Sequence, residues 1–294
     1  MIVSASRRTD IPAYYSGWLL NRLHAGYVFT RNPMNHAQVR KVVLSPDVVD
    51  CIVFWTKDPL NMLDKLDAID RLGYRYYFQF TVTPYGNSIE RGLRDKEEII
   101  KTFRALSDRI GKNKIVWRYD PIIINDMFDY TYHREQFSRL CSKLGRHTDQ
   151  CIISFVDMYS KLKTDILREI SMDEMIEAGE MISAVAKDFG ISVKACCEGS
   201  FLSKYGIGQA SCIDKALIES IYGHSLDIKK DKNQRKSCGC YESVDIGAYN
   251  TCRNGCVYCY ANYSDISVNN NIKKHNPQGE LLIGRVRDND KITT

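Results

Sequence analysis

The chain has 294 residues, 44% hydrophobic and 26% charged, the make-up of a soluble globular protein with room for one large core or two small ones. Its formal net charge of +5 is too mild to argue by itself for nucleic acid, and no stretch approaches the roughly 18 uninterrupted apolar residues of a membrane span. The charged start predicts no secretory leader, and 11 cysteines, an odd count, speak against a disulfide framework and for a reducing, cytoplasmic setting.

In chain order, short β-branched and aromatic runs alternate with longer amphipathic stretches, the pattern of a parallel α/β sheet with crossover helices. Strands are expected at 2–6, 51–55, 76–81, 114–119, 151–156 and 191–196. Helices are expected at 14–25, 60–72, 88–110, 132–144, 162–170, 173–189 and 212–222, with a helix-like stretch running to Val43 after the polar turn Arg31-Asn32-Pro33. In 173–189, Met175, Ile176, Met181, Ile182 and Val185 recur at helical spacing, Asp173 and Glu174 suit the positive helix start, and Gly190 ends it. Six βα units are too few to close an eight-stranded barrel. A further run at 243–248 suggests one more strand position, while 269–294 reads as polar and loosely ordered apart from 281–286.

In parallel α/β architectures ligands sit at the carboxyl ends of the strands, so the residues there are the candidates. The first strand is followed by Arg7, Arg8, Thr9 and Asp10, and guanidinium groups fork onto carboxylates or phosphates. Gln79, Thr81 and Thr83 alternate along the third and share a face. The fourth ends in Arg118, Tyr119 and Asp120, the fifth in Asp157. Arg118 and Gln79 interrupt apolar runs, which is costly unless that face lines a polar cavity, the alternative being a structural ion pair of Arg118 with Asp120 or Asp157. The run 229–236 carries five basic side chains in eight residues, a solvated face or a phosphate contact.

The most specific signal is the loop 251–261, where Cys252, Cys256 and Cys259 are spaced C-x3-C-x2-C. Three thiolates on one loop can hold three corners of an iron–sulfur cubane and leave one iron open. Upstream, Cys196, Cys212, Cys238 and Cys240 offer four thiolates for an auxiliary cubane, with Gly239 allowing the tight turn; zinc is the rival at both places. Cys51, Cys141 and Cys151 read as buried small hydrophobes.

The spacing, Tyr258 before the last cysteine and Tyr260-Ala261 after it resemble the cluster loop of radical S-adenosylmethionine enzymes, especially the spore photoproduct lyase-like group. The chain from Ser4 to the cysteine loop also resembles a bacterial family of unknown function, DUF1848. The first resemblance implies an α/β fold built as a partial (β/α)6 TIM-like barrel over 1–225, with a C-terminal iron–sulfur cluster segment over 226–294 packed on it. It implies a radical enzyme with a 4Fe–4S cluster at Cys252, Cys256 and Cys259, S-adenosylmethionine as cofactor, a second 4Fe–4S cluster, and an electron donor such as flavodoxin or ferredoxin. Arg7, Arg8, Gln79, Arg118 and Asp157 would then serve catalysis, and Arg7, Thr81, Arg118 and Tyr260 the cofactor. The substrate is unknown, a nucleic-acid base or a small metabolite or peptide, and a zinc-stabilised nucleic-acid-binding protein is the alternative.

Overall fold

The computed structural model describes residues 1–162, 164–223 and 225–294. Among the described residues there are eleven strands: β1 (Ile2–Ala5), β2 (Tyr27–Arg31), β3 (Gln38–Val43), β4 (Cys51–Thr56), β5 (Tyr76–Thr81), β6 (Ile115–Ile122), β7 (Gln150–Phe155), β8 (Ser192–Ala195), β9 (Gly208–Gln209), β10 (Val244–Asp245) and β11 (Lys291–Thr293). Eight of them form one sheet in the order β10-β1-β4-β5-β6-β7-β8-β9, every neighbouring pair parallel. All six expected strands are members. The run at 243–248 supplies β10, which pairs with β1 through Val3 and Val244.

The sheet is buried on both faces, as parallel sheets are when crossovers cover them. On one face Phe54, Phe78, Phe80, Trp117 and Phe137 belong to the main core. On the other Val53, Tyr77, Val116 and Ile152 pack with Ile213 and Ile218. Tyr77 and Gln79 share that second face, since both side chains donate to the Cys212 carbonyl, at 2.7 and 2.9 Å.

Helix ends follow local chemistry. The helix Lys96–Ile110 starts only where Asp95 caps the Glu97 amide, so the expected 88–110 helix loses its first turns to an irregular loop. Met172–Asp188 opens on a capping box of Ser171 and Glu174. The expected 162–170 helix is absent among the described residues, and Lys163 lies outside them; Leu167 and Ile170 are buried anchors of an irregular segment, which mimics helical spacing. The expected helix leading to Val43 is instead β3, hairpinned to β2, with Val42 turned to the main core and Val39 to a small cluster with Phe29 and Leu281 on the opposite face.

That sheet has the order β11-β3-β2, so the last residues are more ordered than their polarity suggests. Arg31 forks onto Asp290 with both contacts at 2.7 Å, Trp18 Nε1 donates to the Gly279 carbonyl at 2.9 Å, and a helix covers Asp265–Ile272. Arg31 thus anchors the tail. No helix among the described residues is long and apolar enough to cross a membrane.

Candidate functional site: a cavity walled by arginines and thiols

A cavity of about 1260 Å³ opens at the carboxyl ends of the main-sheet strands. Arg7, Arg8, Thr81, Arg118, Asp157, Tyr260 and the seven cysteines expected as ligands all line it. Gln79 does not; it lies fully buried beneath the floor, where its carbonyl oxygen accepts from Arg118 Nη1 at 3.3 Å.

Arg118 is committed within the protein. Its Nε donates to Asp120 at 2.9 Å, its Nη2 pairs with the same carboxylate, and its Nη1 lies 2.9 Å from Cys212 Sγ. Asp120 also accepts from Ser154. Asp157 pairs with Arg235 at 2.6 Å on the exposed rim. Asp245 is filled by Ser6 Oγ at 2.6 Å, Ser4 Oγ at 3.2 Å, and the amides of Arg7 and Gly247, each at 2.9 Å. Gly247 leaves room for this, since a Cβ there would strike Ser6 Oγ.

Arg7 differs from these. Its backbone is tied, with the amide on Asp245 and the carbonyl accepting from Tyr260 OH, but Nη2 of its guanidinium is buried without a hydrogen-bond partner. Trp55 Nε1 is buried in the same condition. The Trp55 ring has the guanidinium carbon of Arg7 5.2 Å from its centroid and that of Arg118 at 5.3 Å. Two cations on one indole are favourable to the ring and repulsive to each other, which favours negative charge between them.

The loop 251–262 is sewn down by groups the sequence reading passed over. Glu90, fully buried, accepts from Lys57 Nζ and Thr83 Oγ1, each at 2.8 Å, and from Lys96 and Tyr258. Burial alone would raise its pKa, but Lys57 and Lys96 overcome this and lower it to about 2. The Gly92 amide donates to the Asn254 carbonyl at 2.9 Å, and a Cβ there would land on the Arg253 carbonyl. Asn254 in turn donates to Asp10 at 3.2 Å, and burial raises the Asp10 pKa to about 6 despite the amides of Lys57 and Ala13. The signal for Glu90 was present, a carboxylate within the apolar-flanked run Ile89–Leu93, but the expected long helix concealed it. Glu198, another wall residue missed, accepts from the Phe155 amide at 3.0 Å and is raised by burial to about 7.

The thiols overturn the metal reading. Among the described residues, no three His, Cys, Asp or Glu side chains are placed to hold one metal ion. In the loop, burial pushes Cys256 up to about 12 and holds Cys252 well above the ordinary thiol value, and Cys259 Sγ accepts from the Ala261 amide of its own turn at 3.3 Å. In the other set, Cys196 and Cys212 sulfurs touch at 3.3 Å, closer than the roughly 3.8 Å edge of a tetrahedron with metal–sulfur bonds of about 2.3 Å. A cubane needs its thiolates spread over separate irons, not in mutual contact. The expected 4Fe–4S cluster at Cys252, Cys256 and Cys259, S-adenosylmethionine as its cofactor, the second 4Fe–4S cluster and the radical enzyme built on them are therefore corrected. So is the zinc-stabilised alternative, and an electron donor such as flavodoxin or ferredoxin loses its basis. Chain spacing brought the cysteines near one another without arranging their sulfurs around a metal.

What fold and site define is a parallel α/β protein with a polar cavity at its strand ends. The chain belongs to DUF1848, a domain of unknown function, whose family model matches residues 2–261 and thus spans both the sheet and the cysteine loop. No curated protein matches it.

Proposed function

We propose that this protein binds an anionic small molecule, a carboxylate or a phosphate, in the strand-end cavity, with Arg7 as its principal partner. The observation that carries this reading is the buried, unpartnered Nη2 of Arg7 beside the unpartnered Nε1 of Trp55. Buried donors without acceptors are costly, and a ligand oxygen would relieve both. The wall carries carboxylates as well, but Asp120, Asp157 and Asp245 already have partners. Arg8 extends the positive rim, Arg118 adds charge from below, Gln79 holds Arg118, and Thr81, Tyr260 and Asp157 shape the walls around the ligand.

In this reading residues 1–225 supply the cavity floor and 226–294 its rim, where Tyr260 and Asp245 meet Arg7. A sheet curled as a part-barrel fits the same picture. The chain after β9 is tied to the segment entering β10, by Tyr241 N to the Ile213 carbonyl at 3.2 Å and Ser211 Oγ to the Gly239 carbonyl at 2.8 Å. Eleven free cysteines suit a reducing cytoplasm.

Isothermal titration of the full chain with a panel of di- and tricarboxylates, sugar phosphates, nucleotides and a short oligonucleotide tests the proposal. At least one anion should bind, and Arg7→Ala should weaken it about 10- to 100-fold, the worth of one charge-assisted hydrogen bond. Binding that Arg7→Ala leaves untouched, or a panel with no binder, would refute it.

A further inference from the structure

We propose that Cys196 and Cys212 are a redox pair that closes reversibly into a disulfide when the protein meets a peroxide. This goes beyond anion binding and does not depend on it. The two sulfurs lie 3.3 Å apart, about 1.3 Å beyond a disulfide bond, a gap that side-chain torsions can close. They come from different elements, Cys196 directly after β8 and Cys212 after β9, so no ring of adjacent residues has to form. Both line the cavity, which admits a molecule as small as hydrogen peroxide.

Arg118 is the cation beside the pair. Its Nη1 lies 2.9 Å from Cys212 Sγ and favours the thiolate, against the neighbouring Cys240 and burial, which leave this thiol raised overall. The buried structural thiols Cys51 and Cys141 sit in apolar packing, and burial raises both to about 12, which keeps them protonated and inert. Cys197, whose sulfur is 4.0 Å from Cys196, stands next in line but shares a peptide bond with it, and a disulfide between chain neighbours is poorly compatible with ordinary disulfide geometry.

The chemistry balances without a metal. The Cys212 thiolate attacks one peroxide oxygen, the sulfur–oxygen bond forms as the oxygen–oxygen bond breaks, and the departing hydroxide takes up the thiol proton as water. Cys196 sulfur then attacks the sulfenic sulfur of Cys212. The disulfide forms, the sulfur–oxygen bond breaks, and a second water leaves with the Cys196 proton. Two thiols are oxidised by two electrons and one peroxide is reduced to two waters. A thiol reductant reverses the change by exchange.

The test is peptide mapping of the full chain, reduced, treated with one molar equivalent of hydrogen peroxide, alkylated under denaturing conditions and digested with trypsin without reduction. Cleavage after Lys194, Lys204 and Lys215 places the two cysteines on peptides 195–204 and 205–215. These two should appear joined, two hydrogens lighter than the sum of the free peptides, with fragmentation assigning the link to Cys196. The joined species should vanish on dithiothreitol, persist in Cys197→Ser and be lost in Cys196→Ser, while Cys51, Cys141 and Cys151 stay fully alkylated. Absence of the joined peptide from the native chain, or a link that fragmentation assigns to Cys197, would overturn the proposal, and neither readout needs a variant to fold.

Discussion

Two groups of cysteines face the same cavity and are built in opposite ways. The later one, Cys252, Cys256 and Cys259, sits in a loop whose order comes from elsewhere: Glu90 with its two lysines, Gly92 under Asn254, and Tyr15 OH donating to the Thr251 carbonyl at 2.7 Å. The earlier one, Cys196, Cys197 and Cys212, is held by contacts among the sulfurs themselves and with Arg118. A regular spacing in the chain therefore marks the group whose thiols are half-buried and ordered by their surroundings, while the irregular spacing marks the group whose thiols meet.

The largest effect should come from removing the anchor of the later loop. Glu90→Ala leaves the ammonium groups of Lys57 and Lys96 buried without their carboxylate, a loss of about 3–5 kcal/mol of unfolding free energy, read by denaturant titration. The corresponding pH dependence has a definite sign. The Glu90 pKa is depressed from 4.5 to about 2, so its contribution is complete above about 4.5 and is lost as pH falls through about 2. Glu90→Gln should flatten that acid limb.

Gly92→Ala comes next. The new methyl would meet the Arg253 carbonyl, a backbone atom that cannot swing away, so the loop must lift at a cost of about 3 kcal/mol. Alkylation of Cys252 and Cys256 should then speed up markedly, because the burial that keeps them protonated is relieved. Unchanged alkylation rates would break the distinction between the two groups.

In the native chain at neutral pH, Cys197 should be the first thiol alkylated by iodoacetamide, well ahead of Cys252 and Cys256. Hydrogen bonds from Cys196 and Cys238, with help from Arg235, lower its pKa, whereas burial raises theirs. The smallest effect is expected from Arg235→Ala. It removes a rim ion pair with Asp157 that is about half exposed on both sides, worth no more than about 1 kcal/mol, yet it should slow Cys197 alkylation.

Much of the main sheet was legible in the sequence. The six runs rich in Val, Ile, Phe and Tyr became strands because parallel strands buried on both faces read as near-continuous apolar runs. The pieces missed are those whose order is tertiary. β9 is two residues long, too short for periodicity, and β3 and β11 depend on each other across more than 240 positions. The strand-end rule placed Arg7, Arg8, Thr81, Arg118 and Asp157 on one cavity wall, because the carboxyl ends of parallel strands share one side of the sheet. The sequence offered Asp120 or Asp157 as an ion-pair partner for Arg118, and the structure pairs it with Asp120; the sequence could not tell that Arg7 Nη2 lacked any partner, since that depends on where Asp157 and Asp245 spend their own lone pairs. The cysteine reading failed for the same reason: distance along the chain says nothing of which way sulfurs point.

The account rests on Arg7 as the anchor of a bound anion. Crystals soaked in selenate or tungstate and measured at the absorption edge of the heavy atom test this directly. An anomalous peak within hydrogen-bond distance of Arg7 Nη2 and Trp55 Nε1, absent in crystals of Arg7→Ala, is the predicted result. An empty wall at that point, or Arg7 turned onto a protein carboxylate, would contradict it.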